Sequence, residues 1–316
     1  MKKCVGTLLL WCVTIVVYAQ FDAQTAHYMF FQSSYNPAAA GNSEMLTVAG
    51  LHRMQYAGLP KMPQTTMFHL ESPFPIKKTK HGAAVHFTNE TIGLLSNKMV
   101  DFQYAYRHKI GKGYLSAGVG FGFVSVGFQG DSVITDIESD YHDITGDTSI
   151  PNAEEEAMNF DMSVGLAYTA ENWFVGASFR HLNYPRINWT DYSYLTVRGI
   201  MTVMGGYECK IKDTKLEFQP TALLQTDFAT WSLAVTAMME YNQKYRGGIM
   251  WRLQDAVGIL LGMEVIAGLS VGYTYELPTT RLLNHGVWGS HEIFLAYSFD
   301  VLRQKNTSKY KSIRIL

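Results

Sequence analysis

Three consecutive residues near the C-terminus, Ser290, His291 and Glu292, are of the types that form a serine hydrolase triad. A triad needs a nucleophile, a base and an orienting carboxylate that meet on one side of a cleft. Apolar and small or charged side chains alternate along residues 291–301, which predicts a strand. Successive side chains of a strand point to opposite faces, so these three cannot assemble as a triad from this segment. We therefore expect no enzymatic activity.

A second candidate for chemistry is the segment 128–157, which contains nine acidic residues and no Lys or Arg: Asp131, Asp136, Glu138, Asp140, Asp143, Asp147, Glu154, Glu155 and Glu156. Several carboxylates together suit a calcium ion. The spacing of an EF-hand is absent, however, and runs of carboxylates usually face water. A calcium site and a solvated loop both remain open. No zinc or dinucleotide motif stands elsewhere, so no cofactor and no metal are expected.

Alternation with a period of two recurs throughout the chain and predicts about fourteen strands. They are 45–51, 65–71, 82–89, 98–110, 114–127, 158–169, 173–182, 197–211, 214–225, 231–241, 245–252, 256–263, 268–276 and 291–301. The chain is also rich in aromatic residues and glycine, with 19 Tyr, 17 Phe, 6 Trp and 27 Gly. This combination indicates an all-β fold, a transmembrane antiparallel β-barrel of a bacterial outer membrane.

Targeting signals at the N-terminus agree with that location. Lys2 and Lys3 precede an apolar run, and small residues before Gln20 mark a cleavage site after Ala19, so residues 1–19 read as a signal peptide. Cys12 loosely fits a lipoprotein signal, but a bulky Trp precedes it and the apolar run continues beyond it. Cleavage leaves Cys209 alone, which excludes an internal disulfide.

The charge balance excludes a typical nucleic-acid binder. The whole chain has 26 basic and 27 acidic residues; removal of Lys2 and Lys3 with the signal leaves 24 against 27. The mature chain also lacks an uninterrupted apolar stretch of about 18 residues, which argues against transmembrane helices.

Short and long connections alternate between the predicted strands, as in outer-membrane barrels. Long connections are predicted at 52–64, 128–157, 183–196 and 277–290, and short turns near residues 112, 171, 213 and 243, although the connection at 253–255 is also short. With an even strand number, both termini are predicted to be periplasmic. The chain then divides into an N-terminal segment 20–44, periplasmic or luminal, a barrel 45–301 and a tail 302–316.

The tail is basic and has no acidic residue; its cationic side chains are Arg303, Lys305, Lys309, Lys311 and Arg314. These residues either contact an acidic periplasmic partner or belong to a disordered end.

Six polar residues of the predicted barrel form a candidate luminal network: Arg53, Gln55, Arg107, Arg252, Glu276 and Glu292. Such a network either holds a plug or partner segment, or lines a simple channel.

Several short motifs give the chain a resemblance to a known family. They are Tyr28-Met29-Phe30, Asn36-Pro37-Ala38 with Gly41, Arg53-x-Gln55 with Gly58, Arg252, and the ending Gly289-Ser290-His291-Glu292. Together they resemble the PorP/SprF family, membrane proteins of the Bacteroidetes type IX secretion system. Tyr56, Ala39 and Glu276 stand where the family more usually has Trp, an aromatic residue and Asp. Physically, Asn36-Pro37 and Gly41 suit a bend into the first strand.

The resemblance implies a non-enzymatic, integral outer-membrane protein that works with the secretion and gliding machinery. Its implied partners are outer-membrane lipids, other secretion components, among them a periplasmic peptidoglycan-associated lipoprotein, and secreted cargo or adhesin C-terminal domains. The alternative function is a porin-like channel for small solutes, since about fourteen strands enclose a wide lumen unless a segment fills it.

Overall fold

A computed structural model describes residues 22–43, 45–77, 79–130, 153–282 and 286–300. Within these ranges there are 17 strands. In chain order they are β1 (Leu46–Met54), β2 (Gln64–Ile76), β3 (Thr79–Ile92), β4 (Leu95–Ile110), β5 (Gly113–Gln129), β6 (Glu154–Thr169), β7 (Trp173–Arg180), β8 (Arg186–Asn188), β9 (Tyr194–Thr196), β10 (Ile200–Tyr207), β11 (Cys209–Lys210), β12 (Leu216–Thr226), β13 (Trp231–Tyr241), β14 (Tyr245–Arg252), β15 (Ala256–Ile266), β16 (Leu269–Pro278) and β17 (Ser290–Phe299).

Fourteen of the described strands form one closed antiparallel barrel. Each pairs with its neighbours in sequence, and the ring closes where β1 pairs with β17, from Leu46 opposite Phe299 to Met54 opposite His291. Strands β8 and β9 form a separate hairpin, and β11 is a short extension beside β12. The predicted all-β barrel of about fourteen strands is confirmed, and each predicted segment overlaps one barrel strand, although 197–211 extends beyond β10 at both ends.

The barrel wall is apolar outside and polar inside. On β17, Ile293 and Leu295 are each 52% exposed, whereas Glu292 and Ser298 are 1% and 0% exposed. The same alternation gives the outer face a belt of exposed aliphatic and aromatic side chains on every long strand. A belt of this kind suits contact with lipid tails. Among the described residues, no helix is long and apolar enough to cross a membrane.

Two ends of the barrel differ in their connections. At the short-turn end the strands are joined at 77–78, 111–112, 170–172, 208–215, 242–244 and 267–268. At the other end, here called the loop end, long connections occupy 55–63, 130–153, 181–199 and 279–289, and short ones lie at 93–94, 227–230 and 253–255. Most of the acidic loop falls in 131–152, which lies outside the described residues, as do the signal peptide and the tail. Glu154, Glu155 and Glu156 belong to β6 and not to a loop.

Residues 22–43, the luminal segment, lie inside the barrel. The segment contains a 3-10 turn at Tyr28–Phe30, one short helix, α1 (Gln32–Tyr35), and a 3-10 turn at Pro37–Ala39. The Asn36 side chain accepts a hydrogen bond from the Ala38 N–H and so caps the last turn. Gly41 then adopts a φ of 65°, which allows the chain to bend toward β1.

Two glycines on the inner wall let the luminal segment approach the strands closely. A Cβ atom on Gly118 of β5 would overlap the main chain of Pro37 and Ala38, and one on Gly82 of β3 would overlap the Ala40 carbonyl. A larger residue at either position would therefore displace the segment.

We predict that Gly118→Ala destabilises the barrel by about 1–3 kcal/mol, because the added methyl group overlaps backbone that has no room to move. Gly247→Ala in β14 is the matched control, since nothing lies within 4 Å of a Cβ at that position. Heat or urea unfolding in detergent, followed by electrophoretic mobility, measures both variants. Equal stability of the two would show that the segment does not rest on this wall.

Candidate functional site

A chain of buried ion pairs crosses the inner wall near the closure of the barrel. Arg53 of β1 contacts Glu276 of β16, with Nη2 to Oε2 at 2.6 Å, and Glu292 of β17, with Nη1 to Oε2 at 3.2 Å. Arg252 of β14 lies 3.4 Å from Glu276 and 2.8 Å from Asp255. The side chains of Arg53 and Glu276 are each 1% exposed and that of Glu292 is fully buried.

Strand register brings these side chains together. Arg53 lies directly opposite Glu292 in the β1–β17 pair, so the two share the inner face. Glu276 pairs with Gly258 of β15, where a Cβ atom would lie only 3.1 Å from the Glu276 Cγ. Two guanidinium groups thus neutralise two luminal carboxylates. Removing one member would leave a buried charge without compensation.

The luminal segment is fastened to the same network through Glu292. The carboxylate accepts the Ala26 N–H at 2.8 Å, the His27 N–H at 2.9 Å and the His27 Nδ1 at 2.7 Å. The His27 ring also packs edge-on against Phe294, with 4.6 Å between the ring centroids. Glu292 therefore joins three parts of the fold: β17, β1 through Arg53, and the luminal segment.

Asp22, the first described residue, is fixed by a second ion cluster. Its carboxylate lies 2.7 Å from Arg180 and 3.0 Å from His181, and His181 also contacts Asp161 of β6 at 2.9 Å. Because Arg180 is the last residue of β7, Asp22 lies toward the loop end. Sequence reasoning missed Asp22 and Arg180 as partners, since nothing local links positions so far apart.

The charges in this cluster reinforce one another. Burial raises the pKa of Asp22, but the charges of Arg180 and His181 outweigh it and hold that pKa well below its usual range. Burial lowers the pKa of His181, but the Asp22 carboxylate and the hydrogen bond to Asp161 raise it to about 9. His181 is therefore charged at neutral pH, and its ion pair with Asp22 holds the start of the described segment in place.

The remainder of the luminal segment is hydrogen-bonded to several other strands around the barrel. Tyr28 donates to the Thr221 carbonyl at 3.1 Å, Asn36 donates to the Leu166 carbonyl at 3.0 Å, and Ser33 donates to Glu71 at 3.1 Å. Arg107 of β4 donates to the Ala40 carbonyl. The segment thus runs from Asp22 down the lumen to the start of β1.

The lumen is filled and also covered toward the loop end. Ile187 of the β8–β9 hairpin is 0% exposed and packs on Val124 and Val126 of β5. Trp189 donates from Nε1 to the Val126 carbonyl at 2.7 Å. One internal cavity, lined by Asp22, His86 and Arg180 among others, has a volume of about 20 Å³, room for about one water molecule.

The structure separates the predicted motif residues into three groups. Tyr28, Met29, Phe30, Asn36, Pro37, Ala38 and Gly41 belong to the luminal segment, and all but Phe30 are buried. Arg53, Arg252 and Glu292 form the ion network. Gly58, Gly289 and Ser290 lie at the loop end, where the Ala57 N–H donates to the Gly289 carbonyl at 2.7 Å and the Tyr56 N–H donates to Ser290 Oγ at 3.0 Å.

Three predicted residues lie apart from the ion network. Gln55 is half-buried at the loop end, where its N–H donates to the Pro63 carbonyl at 2.8 Å. Arg107 contacts the luminal segment instead of Glu276 or Glu292. His291 lies on the opposite face from Ser290 and Glu292 and contacts the Tyr273 hydroxyl at 2.7 Å, so the three form no triad. In the part of the chain that the structure describes, no group of three His, Cys, Asp or Glu is arranged for a metal.

We predict that Glu292→Ala frees the first half of the luminal segment, because the Ala26 and His27 N–H groups lose their acceptor. At a cost of about 3 kcal/mol, amide exchange over residues 22–31 would accelerate roughly 100-fold. Hydrogen exchange with mass spectrometry measures this peptide directly. Glu264→Ala is the control, since that carboxylate accepts the Gly268 N–H within the β15–β16 turn at the short-turn end. Unchanged exchange in Glu292→Ala would contradict the role of Glu292.

The stability of the folded protein should depend on pH because of His181. Its pKa of about 9 in the folded protein exceeds the usual value of 6.5, so protonated His181 stabilises the fold fully below pH 6.5, and this stabilisation is lost as the pH rises through 9. Thermal stability in detergent should therefore fall between pH 7 and pH 10, and His181→Gln should show a flatter profile. Parallel pH profiles for the two proteins would contradict a stabilising role for protonated His181.

Comparison with known proteins gives one family. Residues 17–297 match the family described as "Type IX secretion system membrane protein PorP/SprF". No curated protein matches the chain.

Solved structures with a similar chain path include the toluene transporter TodX of Pseudomonas putida, with 8% identity, a TM-score of 0.46, and coverage of 88% of this chain and 95% of that chain. The CymD monoaromatic hydrocarbon channel has 10% identity, a TM-score of 0.46 and coverage of 89% and 94%. The translocator domain of the autotransporter NalP from Neisseria meningitidis has 12% identity, a TM-score of 0.41 and coverage of 81% and 88%. The barrel is established by its own strand pairings.

Proposed function

Since the chain belongs to the PorP/SprF family of type IX secretion system membrane proteins, we propose that it is a non-enzymatic docking component of the secretion and gliding machinery. In this proposal the barrel anchors in the outer membrane and binds other components at its two ends. Periplasmic machinery, such as a peptidoglycan-associated lipoprotein, binds at one end, and secreted cargo or adhesin C-terminal domains bind at the other.

The observation that carries the proposal is the filled lumen. Tyr28 is 0% exposed, and Phe31 and Tyr35 are each 1% exposed, so large side chains of the luminal segment occupy the space a solute would need. The segment is held at Glu292, at Asp22 and at Arg107, along the length of the barrel. A solute channel would require all of these contacts to open, whereas an anchor requires them to persist.

We propose that the short-turn end faces the periplasm and the loop end faces outward, as in other barrels with this alternation. The C-terminal tail then leaves β17 on the periplasmic side. In this orientation the described luminal segment begins at Asp22 toward the outward-facing loop end and runs inward to β1.

Deletion of the gene tests the proposal. We expect the deletion to block export of cargo with a type IX C-terminal signal while other outer-membrane proteins stay in place, because docking serves secretion and not membrane integrity. Quantitative proteomics of the medium and of the outer membrane measures both effects. The wild-type gene restores export in the deletion strain, and unchanged cargo export in its absence would refute the docking function.

Current recordings in planar bilayers separate docking from the alternative, a porin-like channel. The wild-type barrel should be silent, because the luminal segment and the β8–β9 hairpin occlude it. Glu292→Ala, which frees only the first half of the segment, is the matched variant, and it should show at most brief openings because the contacts of Asp22 and Arg107 remain. A large and stable open current from the wild-type protein would favour the channel.

A further inference from the structure

One side of β6 has no strand beside it near the loop end. β5 pairs with β6 along its whole length, from Glu154 to Thr169, whereas β7 pairs with it only from Val164 onward. Over residues 154–163, no strand in the described part of the chain lies on the β7 side of β6. An unpaired strand edge can accept an additional strand from another polypeptide.

The inner part of this gap is filled by the connection 181–199. The Leu182 N–H donates to the Met162 carbonyl at 2.9 Å. The Asn183 side chain accepts the Met162 N–H at 3.2 Å and donates to the Phe160 carbonyl at 2.7 Å. The main-chain groups of residues 160 and 162 that face the β7 side therefore have partners there.

The outer part of the gap, residues 154–158, is here called the open edge. The N–H and C=O of one strand residue point to the same side, and those of the next residue point to the other side. Since Met162 and Phe160 bond on the β7 side, the main-chain groups of Met158 and Glu156 face that side too. Among the described residues, these groups have no hydrogen-bond partner on that side.

The open edge is accessible and is supported from within the barrel. Met158 is 66% exposed. On the inner face, Ala157 packs on the apolar cluster that contains Ile187 of the β8–β9 hairpin. Asn159 donates from Nδ2 to the Arg186 carbonyl at 2.9 Å. The hairpin thus holds this part of β6 in an extended conformation that can pair with another strand.

The side chains of the open edge determine the charge of a strand that fits it. Residues 154–156 are three glutamates. Two basic side chains lie near them, but Lys98 pairs with Glu156 at 2.9 Å and Arg186 stacks on an aromatic ring, 3.6 Å from its centroid. In the described ranges, the other two glutamates have no ion pair. A basic strand therefore fits the edge, whereas a second copy of this chain would add three more carboxylates.

We propose that the open edge is the docking site for an extended basic segment of a partner polypeptide, which pairs with β6 as an added strand. This inference rests on the proposed docking function, with the loop end outward. Main-chain hydrogen bonds supply the attraction, and Glu154 and Glu155 select Lys or Arg in the added strand. At about 3.4 Å per residue, the edge suits a segment of roughly five residues.

The first test uses the full mature protein in nanodiscs of zwitterionic lipid and a fluorescent peptide of alternating Lys and Val, about seven residues long. The control probe has the same sequence with every main-chain amide methylated, so it keeps its charge but cannot donate main-chain hydrogen bonds. Fluorescence anisotropy measures binding. We expect the methylated probe to bind at least roughly tenfold more weakly. Equal binding of the two probes would overturn the proposal.

The second test removes a main-chain donor from the protein. Proline is tolerated in an edge strand where its nitrogen faces away from the neighbouring strand. Met158→Pro should therefore leave the β5–β6 ladder intact and weaken binding of the unmethylated probe at least roughly tenfold. Electrophoretic mobility before and after heating verifies that the barrel is folded. If this variant does not fold, the comparison of the two probes on the wild type still decides the question.

The third test concerns charge. Glu154→Gln/Glu155→Gln should bind the unmethylated probe severalfold more weakly at low salt and about as well as the wild type at high salt, because salt screens exposed charges. Glu171→Gln/Asp213→Asn is the matched control, since it removes two exposed acidic side chains at the short-turn end, and it should retain binding. Equal loss in both double variants would refute a defined site.

Two further outcomes separate this site from other possibilities. Dimers of the wild type that become monomers in Met158→Pro, without binding of either peptide, would assign the edge to a second copy of the chain and overturn the proposal. Normal cargo export in the deletion strain contradicts the docking function as a whole. Undiminished binding of the unmethylated probe by folded Met158→Pro contradicts only the open edge.

Discussion

The structure depends on how the charge of Arg53 is compensated. Its guanidinium group is almost fully buried, and a buried cation is tolerated only when carboxylates surround it with good geometry. Glu276 and Glu292 supply them, one on β16 and the other on β17. Since β1 and β17 are the first and last strands of the barrel, the ion pair with Glu292 spans the seam at which the ring closes.

The same carboxylate explains why the luminal segment stays inside. Glu292 shares its two oxygens between Arg53 and the N–H groups of Ala26 and His27, so seam and segment stabilise one another. A barrel of fourteen strands is too wide for its own wall side chains to fill. Tyr28, Phe31 and Tyr35 occupy that space, and the glycines of the wall allow the segment's backbone to approach it.

Local patterns were sufficient to predict the strands. The predicted segments 231–241 and 245–252 begin and end at the same residues as β13 and β14. They were predictable because the alternation and the intervening Asn242-Gln243-Lys244 turn are both encoded by adjacent residues. The predicted strand 197–211 is instead divided. Residues 200–207 form β10, residues 197–199 belong to the connection at 181–199, and residues 209–210 form β11. Long-range contacts were harder to predict. Arg53 and Glu292 were recognisable in the sequence as charges on an inner face. The ion pair of Asp22 with Arg180 was not predictable, because these two residues come close only through the folded path of the luminal segment.

The energetic consequence of this arrangement bears on function. Opening the lumen means withdrawing the segment from Glu292, Arg180 and Arg107, and the loss of a hydrogen bond to a charged group costs about 1.5–3 kcal/mol. Three such losses shift an equilibrium by more than a factor of about 10³. An open state would then be rare without a ligand that binds it selectively. The charged side chains inside this barrel therefore bind the protein's own luminal segment. The surfaces left for other molecules are the two rims and the lipid-facing wall.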